Sequence, residues 1–122
     1  MAKKILVVED EKILGEMYQD ILVHAGFKVS WVQSAEEGIE ALPKVRPDLI
    51  LLDILLPRAS GVGFMKELKK QKEFSSIPVV AFSNYDEPNT KKEALELGAK
   101  DYLIKTNYTP QEVVDRIKNY LK

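Results

Sequence analysis

The chain has 122 residues, of which 45% are hydrophobic and 30% charged, with 18 basic against 19 acidic side chains and a formal net charge of −1. That length fits one domain with a substantial core, and the absence of cysteine excludes disulfide scaffolds, thiolate metal sites and cysteine nucleophiles. The near-neutral balance argues against an electrostatic nucleic-acid or membrane-surface binder, and no apolar stretch reaches membrane-spanning length.

Taken in chain order, the first apolar run is Ile5 to Val8, and such short continuous runs read as buried strands. Ile13, Leu14, Met17, Ile21 and Leu22 then form an apolar stripe at helical spacing, closed by Ala25-Gly26. Lys28 to Val32 is mixed, as expected of an edge strand with a wetter face. A second helix opens at Ser34 with Glu37 three residues on, the sequence of a capping box, and carries Ala35, Gly38, Ile39 and Leu42. Leu49 to Leu52 is the next strand, followed by a helix marked by Phe64, Met65 and Leu68. Ile77 to Phe82 is a further strand with a proline near its start. The following helix has Pro88 in its first turn and Ala94, Leu95 and Leu97 before Gly98. Tyr102 to Ile104 is the last strand. Thr109-Pro110-Gln111-Glu112 supplies a cap, a first-position proline and a capping glutamate for a final helix carrying Val113, Ile117, Tyr120 and Leu121.

Strand then helix, repeated five times, predicts an α/β fold: a doubly wound, five-stranded parallel sheet in the order 2-1-3-4-5 with helices on both faces. The continuous apolar runs belong in its middle, and the mixed second and short fifth strands at its edges. Residues 1–122 read as a single domain, without linker or repeat.

The strands end on polar groups. Glu9, Asp10 and Glu11 follow Val8, Asp53 follows Leu52, Ser83 and Asn84 follow Phe82, and Lys105 follows Ile104. In a parallel sheet all of these gather along the carboxyl edge, where ligands bind beside the topological switch point. Carboxylates a few ångströms apart repel by roughly 4 kcal/mol per pair at an effective dielectric near 20, so such a cluster calls for a cation. Oxygen ligands without histidine or cysteine suit Mg²⁺, or Mn²⁺, which can also take phosphoryl oxygens. Asp53 can then act as a nucleophile on phosphorus, with Lys105 and the Ser83 hydroxyl meeting the charge of the transferred group.

These residues carry a resemblance. Val-Val-Glu-Asp-Glu at 7–11, Leu-Leu-Asp-Ile-Leu-Leu-Pro at 51–57, Gly61, Ala-Phe-Ser-Asn at 81–84 and Asp-Tyr-Leu-Ile-Lys at 101–105 together resemble the receiver domain of two-component response regulators, over the whole chain. The resemblance implies that Asp53 accepts a phosphoryl group from a histidine kinase, a histidine phosphotransfer protein or a small phosphodonor. It implies that Asp10, Asp53 and the backbone carbonyl of Leu55 coordinate Mg²⁺, with Glu9 acting through a water. It further implies that Lys105 pairs with the phosphoryl group and that Ser83 moves to bond it. An inward turn of Tyr102 would follow, read by a target protein at the face of the fourth helix, fifth strand and fifth helix. On this reading the protein is a cytoplasmic monomer or weak phosphorylation-dependent dimer that catalyses only its own phosphorylation and dephosphorylation, with no direct nucleic-acid binding and no membrane insertion.

Three positions depart from the usual pattern. Asn84 stands where a small residue is common, and an altered dephosphorylation rate is expected. Thr106 replaces a proline that is usually joined through a cis bond; since a cis bond to a non-proline costs about 2.5–4 kcal/mol, the Lys105–Thr106 peptide is expected to be trans or strained. Ser60 replaces a common acidic residue in a surface turn.

Other readings compete. Glu9 to Glu11 also suit a solvated helix start. Trp31 carries no functional inference, and His24 reads as structural. A degenerate receiver, acting as a phosphorylation-independent interaction module, is the alternative function. A free-standing phosphatase fits less well, because Leu55 stands where a second aspartate would be needed and no histidine base is at hand. If the chain is complete, its signal leaves through a transient protein contact or by onward phosphoryl transfer.

Overall fold

Five short segments rich in β-branched and aliphatic residues pair into one parallel sheet: β1 (Lys4–Val8), β2 (Lys28–Val32), β3 (Leu49–Asp53), β4 (Val79–Ser83) and β5 (Asp101–Ile104). Their order is β2-β1-β3-β4-β5. The computed structural model describes residues 2–54, 61–84 and 88–121. Five helices connect the strands: α1 (Lys12–His24), α2 (Ala35–Val45), α3 (Gly61–Lys70), α4 (Pro88–Glu96) and α5 (Pro110–Tyr120). Strand β4 starts at Val79 because Pro78 has no amide to give the ladder, although its carbonyl still accepts from the Ile50 N–H at 3.0 Å.

Alternation along the strands sorts the core into two layers. Ile5, Val7, Leu49, Leu51, Val80, Phe82 and Leu103 face α1 and α5, meeting Tyr18, Leu22, Val113, Val114 and Ile117. Leu6, Val8, Ile50, Leu52, Val79, Ala81 and Tyr102 face the other way, onto α2, α3 and α4. Strands β1, β3 and β4 are therefore buried on both faces, while every residue of β2 keeps some exposure, as its mixed sequence requires.

Three expectations at the helices need correction. Ile13 is 81% exposed. At about 100° per residue it falls off the edge of the stripe centred on Leu14, Tyr18 and Leu22, and Tyr18 takes the core position. Leu95 is 42% exposed while its neighbour Ala94 is the buried residue of α4. At Ser34 only half of the capping box forms. The hydroxyl accepts from the Glu37 N–H at 3.1 Å, but the Glu37 carboxylate meets that same hydroxyl instead of the backbone amide. The complete box is at Thr109 and Glu112.

Candidate functional site

The carboxyl edge of β1, β3 and β5 brings Glu9, Asp53 and Lys105 together. Continuing each strand's alternation by one step puts all three on the α1/α5 side, in line with Val7, Leu51 and Leu103. Lys105 Nζ lies 2.7 Å from Glu9 Oε1 and 3.3 Å from Asp53 Oδ2. Its ammonium also sits over the Phe82 ring, 4.6 Å from the centroid, and Tyr18 packs edge-on against that ring at 5.2 Å. An aromatic floor thus lies beneath the charged groups, and the cation gains attraction to the ring face.

Burial sets the electrostatics. Glu9 is fully buried and Asp53 only 4% exposed. Desolvation, reinforced by the negative charge of Asp53 and opposed by Lys105, pushes the Glu9 carboxyl from 4.5 up to about 8. Burial alone would depress the Lys105 ammonium, but its hydrogen bond to Glu9 and the field of Asp53 outweigh that and hold it above its ordinary value. One ammonium is thus shared between two buried carboxylates, with the half-buried Asp10 adjacent. The remaining Glu9 oxygen, Oε2, accepts from the Glu11 N–H at 3.1 Å.

Carboxylate oxygens of Glu9, Asp10 and Asp53 all lie within 4.8 Å of one another. An all-oxygen set of this charge, with an excess of acid over the single lysine, fits a small hard divalent cation. The Leu55 carbonyl, expected as a further ligand, lies outside the described residues, as does Ser60. Ser83 is buried at the end of β4, where alternation puts it on the opposite, α3/α4 side, with Ala81 and Tyr102. Tyr102 is 6% exposed and belongs to the core layer on that side. Asn84 is exposed beside Ser83. Thr106 is exposed in a short 3-10 turn (Lys105–Asn107), and the Lys105–Thr106 peptide is trans, with no cis bond among the described residues. The placement of Lys105 therefore does not require a cis peptide.

Three residues escaped the sequence reading. Phe82 was legible only as a strand residue, although its alternation with Val80 assigns it to the Asp53 side. Tyr18 was hidden behind Ile13 in the helical stripe. Trp31 donates its indole N–H to the Glu9 carbonyl at 2.8 Å, a contact across 22 residues that no local pattern announces.

Against known proteins, residues 5–118 match the family described as the response regulator receiver domain. The chain belongs to that family. The phosphate regulon transcriptional regulatory protein PhoB of Escherichia coli (strain K12) is 39% identical to this receiver over 122 residues, all of this chain and 53% of PhoB. The alkaline phosphatase synthesis transcriptional regulatory protein PhoP of Bacillus subtilis (strain 168) is 38% identical over the whole chain and 50% of its own length. The chain therefore spans about half the length of these curated relatives. Among solved structures, a CheY-like response regulator receiver domain protein from Methanospirillum hungatei JF-1 superposes with a TM-score of 0.91 at 25% identity, covering 99% of this chain and 94% of its own. The BeF3-activated N-terminal receiver domain of Klebsiella pneumoniae RstA gives 0.86 at 28% identity, covering 98% of each. The 2-1-3-4-5 sheet expected from the strand–helix order and the receiver resemblance carried by the motifs are thus both shown. Among the described residues no helix is long and apolar enough to cross a membrane.

Proposed function

We propose that the protein is a cytoplasmic phosphoacceptor switch in which Asp53 takes a phosphoryl group with the help of a divalent cation, Mg²⁺ or Mn²⁺. The observation that carries this reading is the meeting of Glu9, Asp10 and Asp53 within 4.8 Å, with Lys105 Nζ 3.3 Å from Asp53. An Asp53 carboxylate oxygen attacks phosphorus and forms an acyl phosphate, as the bond from phosphorus to the donor's nitrogen or oxygen breaks and the leaving group keeps the electron pair. Asp10 and Asp53, with Glu9 behind them, would hold the cation, which neutralises carboxylate repulsion and offers positive charge to the phosphoryl oxygens. Lys105 already bridges Glu9 and Asp53, so a short shift brings its ammonium onto the phosphoryl group.

The donor is a phosphohistidine of a kinase or phosphotransfer protein, or a small acyl phosphate. Ser83 and Tyr102, on the other side of the sheet, carry the change to the face formed by α4, β5 and α5, where a target protein reads it. The protein turns over only its own phosphoryl group.

Incubation with Mg²⁺ and acetyl phosphate, followed by intact-mass measurement, tests the reading. Wild type is expected to gain one phosphate and Asp53→Ala none. Equal labelling of both would move the acceptor elsewhere, and no labelling of either would leave a phosphorylation-independent interaction module.

A further inference from the structure

We propose that Trp31 is a positioning residue for the acidic pair, locking the β1–α1 turn in the conformation that presents Glu9 and Asp10 to a divalent cation. The inference rests on the cation-binding reading above. The Glu9 N–H donates to the Val32 carbonyl at 3.0 Å, and the Glu9 carbonyl accepts from Trp31 Nε1 at 2.8 Å. Both backbone polar groups of Glu9 are thus held by two consecutive residues of β2. Peptide units are planar. Fixing the plane that contains the Glu9 N–H and the plane that contains its carbonyl fixes φ and ψ of Glu9 between them. The direction of the Glu9 side chain and the position of Asp10 follow.

The molecule reserves room for this contact. A Cβ at Gly15 would lie 2.0 Å from Trp31 Cε2 and 2.3 Å from both Cζ2 and Nε1. Glycine is otherwise a poor choice inside α1, where alanine favours the helix. The indole occupies the space a side chain at Gly15 would take, and its N–H reaches the turn. The hydrogen bond of Trp31 goes to the Glu9 backbone carbonyl, so its effect passes through Glu9.

The chain has a single tryptophan, so biosynthetic replacement by benzothienylalanine alters one side chain, keeping the ring outline and exchanging the N–H for sulfur. Mg²⁺ affinity is read from amide chemical shifts of Glu9 to Glu11 during titration. Outer partners of metal ligands typically contribute ten- to a hundredfold in affinity, and about a tenfold weakening is expected. Gly15→Ala keeps the N–H but displaces the ring, and is expected to weaken Mg²⁺ in the same way despite its better helix propensity. A folded analogue protein that binds Mg²⁺ as wild type does, even with a lowered Tm, would show that Trp31 serves packing alone and overturn the proposal. Wild type that binds no Mg²⁺ would instead bring down the cation-binding reading, and this inference with it.

Discussion

Lys105 and Glu9 stand 96 residues apart in sequence, yet their charged atoms meet at 2.7 Å. The contact is enclosed, with side-chain exposures of 7% and 0%. Removing one partner of a buried pair leaves an uncompensated charge, at a cost of about 3–5 kcal/mol. Here the loss depends on protonation, because Glu9 holds its proton up to about pH 8. Lys105→Met is expected to lose about 3 kcal/mol in urea unfolding without Mg²⁺ at pH 8.5, and distinctly less at pH 6, where Glu9 is neutral. An equal loss at both pH values would show that the pair does not work as an ion pair.

Asp53 and Glu9 share that one ammonium, so repulsion between the two carboxylates is expected to weaken the magnesium-free protein. Asp53→Asn keeps the shape and removes one negative charge. At pH 8.5 without Mg²⁺ the variant is expected to be about 1 kcal/mol more stable than wild type, a discounted share of the roughly 4 kcal/mol between carboxylates at an effective dielectric near 20. On the proposed cation-binding reading, saturating Mg²⁺ is expected to reverse the order, by binding and stabilising wild type more. Urea midpoints in both conditions check this, and an unchanged order would refute it.

The same group sets a pH dependence. Glu9 titrates near 4.5 when unfolded and near 8 when folded, so between those values the folded state holds the extra proton. Without Mg²⁺, stability therefore falls as pH rises from about 5 to about 8. A cation at this cluster disfavours the proton on Glu9, so Mg²⁺ affinity is expected to rise with pH over that window, and binding below pH 8 to release that proton. Calorimetric titrations in two buffers of different ionisation enthalpy measure that release. A heat independent of buffer at pH 7 would place the proton elsewhere.

The sheet was legible because four of its strands are nearly uninterrupted apolar runs alternating with helical segments, a pattern that suits a parallel sheet covered on both faces. The site was legible because Asp53 and Lys105 close such runs with charge. The side on which each group lies was harder. Glu9, Asp53 and Lys105 fall on the α1/α5 side while Ser83 and Tyr102 fall on the other, and a one-residue error in register reverses that assignment. Strand β4 shows the difficulty, since the run begins at Ile77 but pairing begins after Pro78. The grip of Trp31 on Glu9 depends on β2 lying beside β1 and on Gly15 being bare, two facts that meet only in the folded chain.

Gly61 offers a last test of how tightly Asp53 is held. A Cβ there would approach Ile54 Cα to 2.6 Å and the Asp53 carbonyl oxygen to 2.9 Å, and both obstacles are backbone. The Gly61 N–H also donates to the Ile54 carbonyl at 2.9 Å, so the start of α3 is fastened to the end of β3 where the Cβ would intrude. A flexible side chain could swing aside, but a strand paired on both edges cannot, and the added methyl must push α3 away or tilt the Asp53 peptide. Overpacking of this kind costs about 1–3 kcal/mol, far more than the few tenths that alanine returns by helix propensity at a helix start. Gly61→Ala is therefore expected to lower the urea midpoint and to slow labelling by acetyl phosphate together, since one displacement causes both. A variant that loses stability but labels at the wild-type rate would mean that α3 yields and β3 does not.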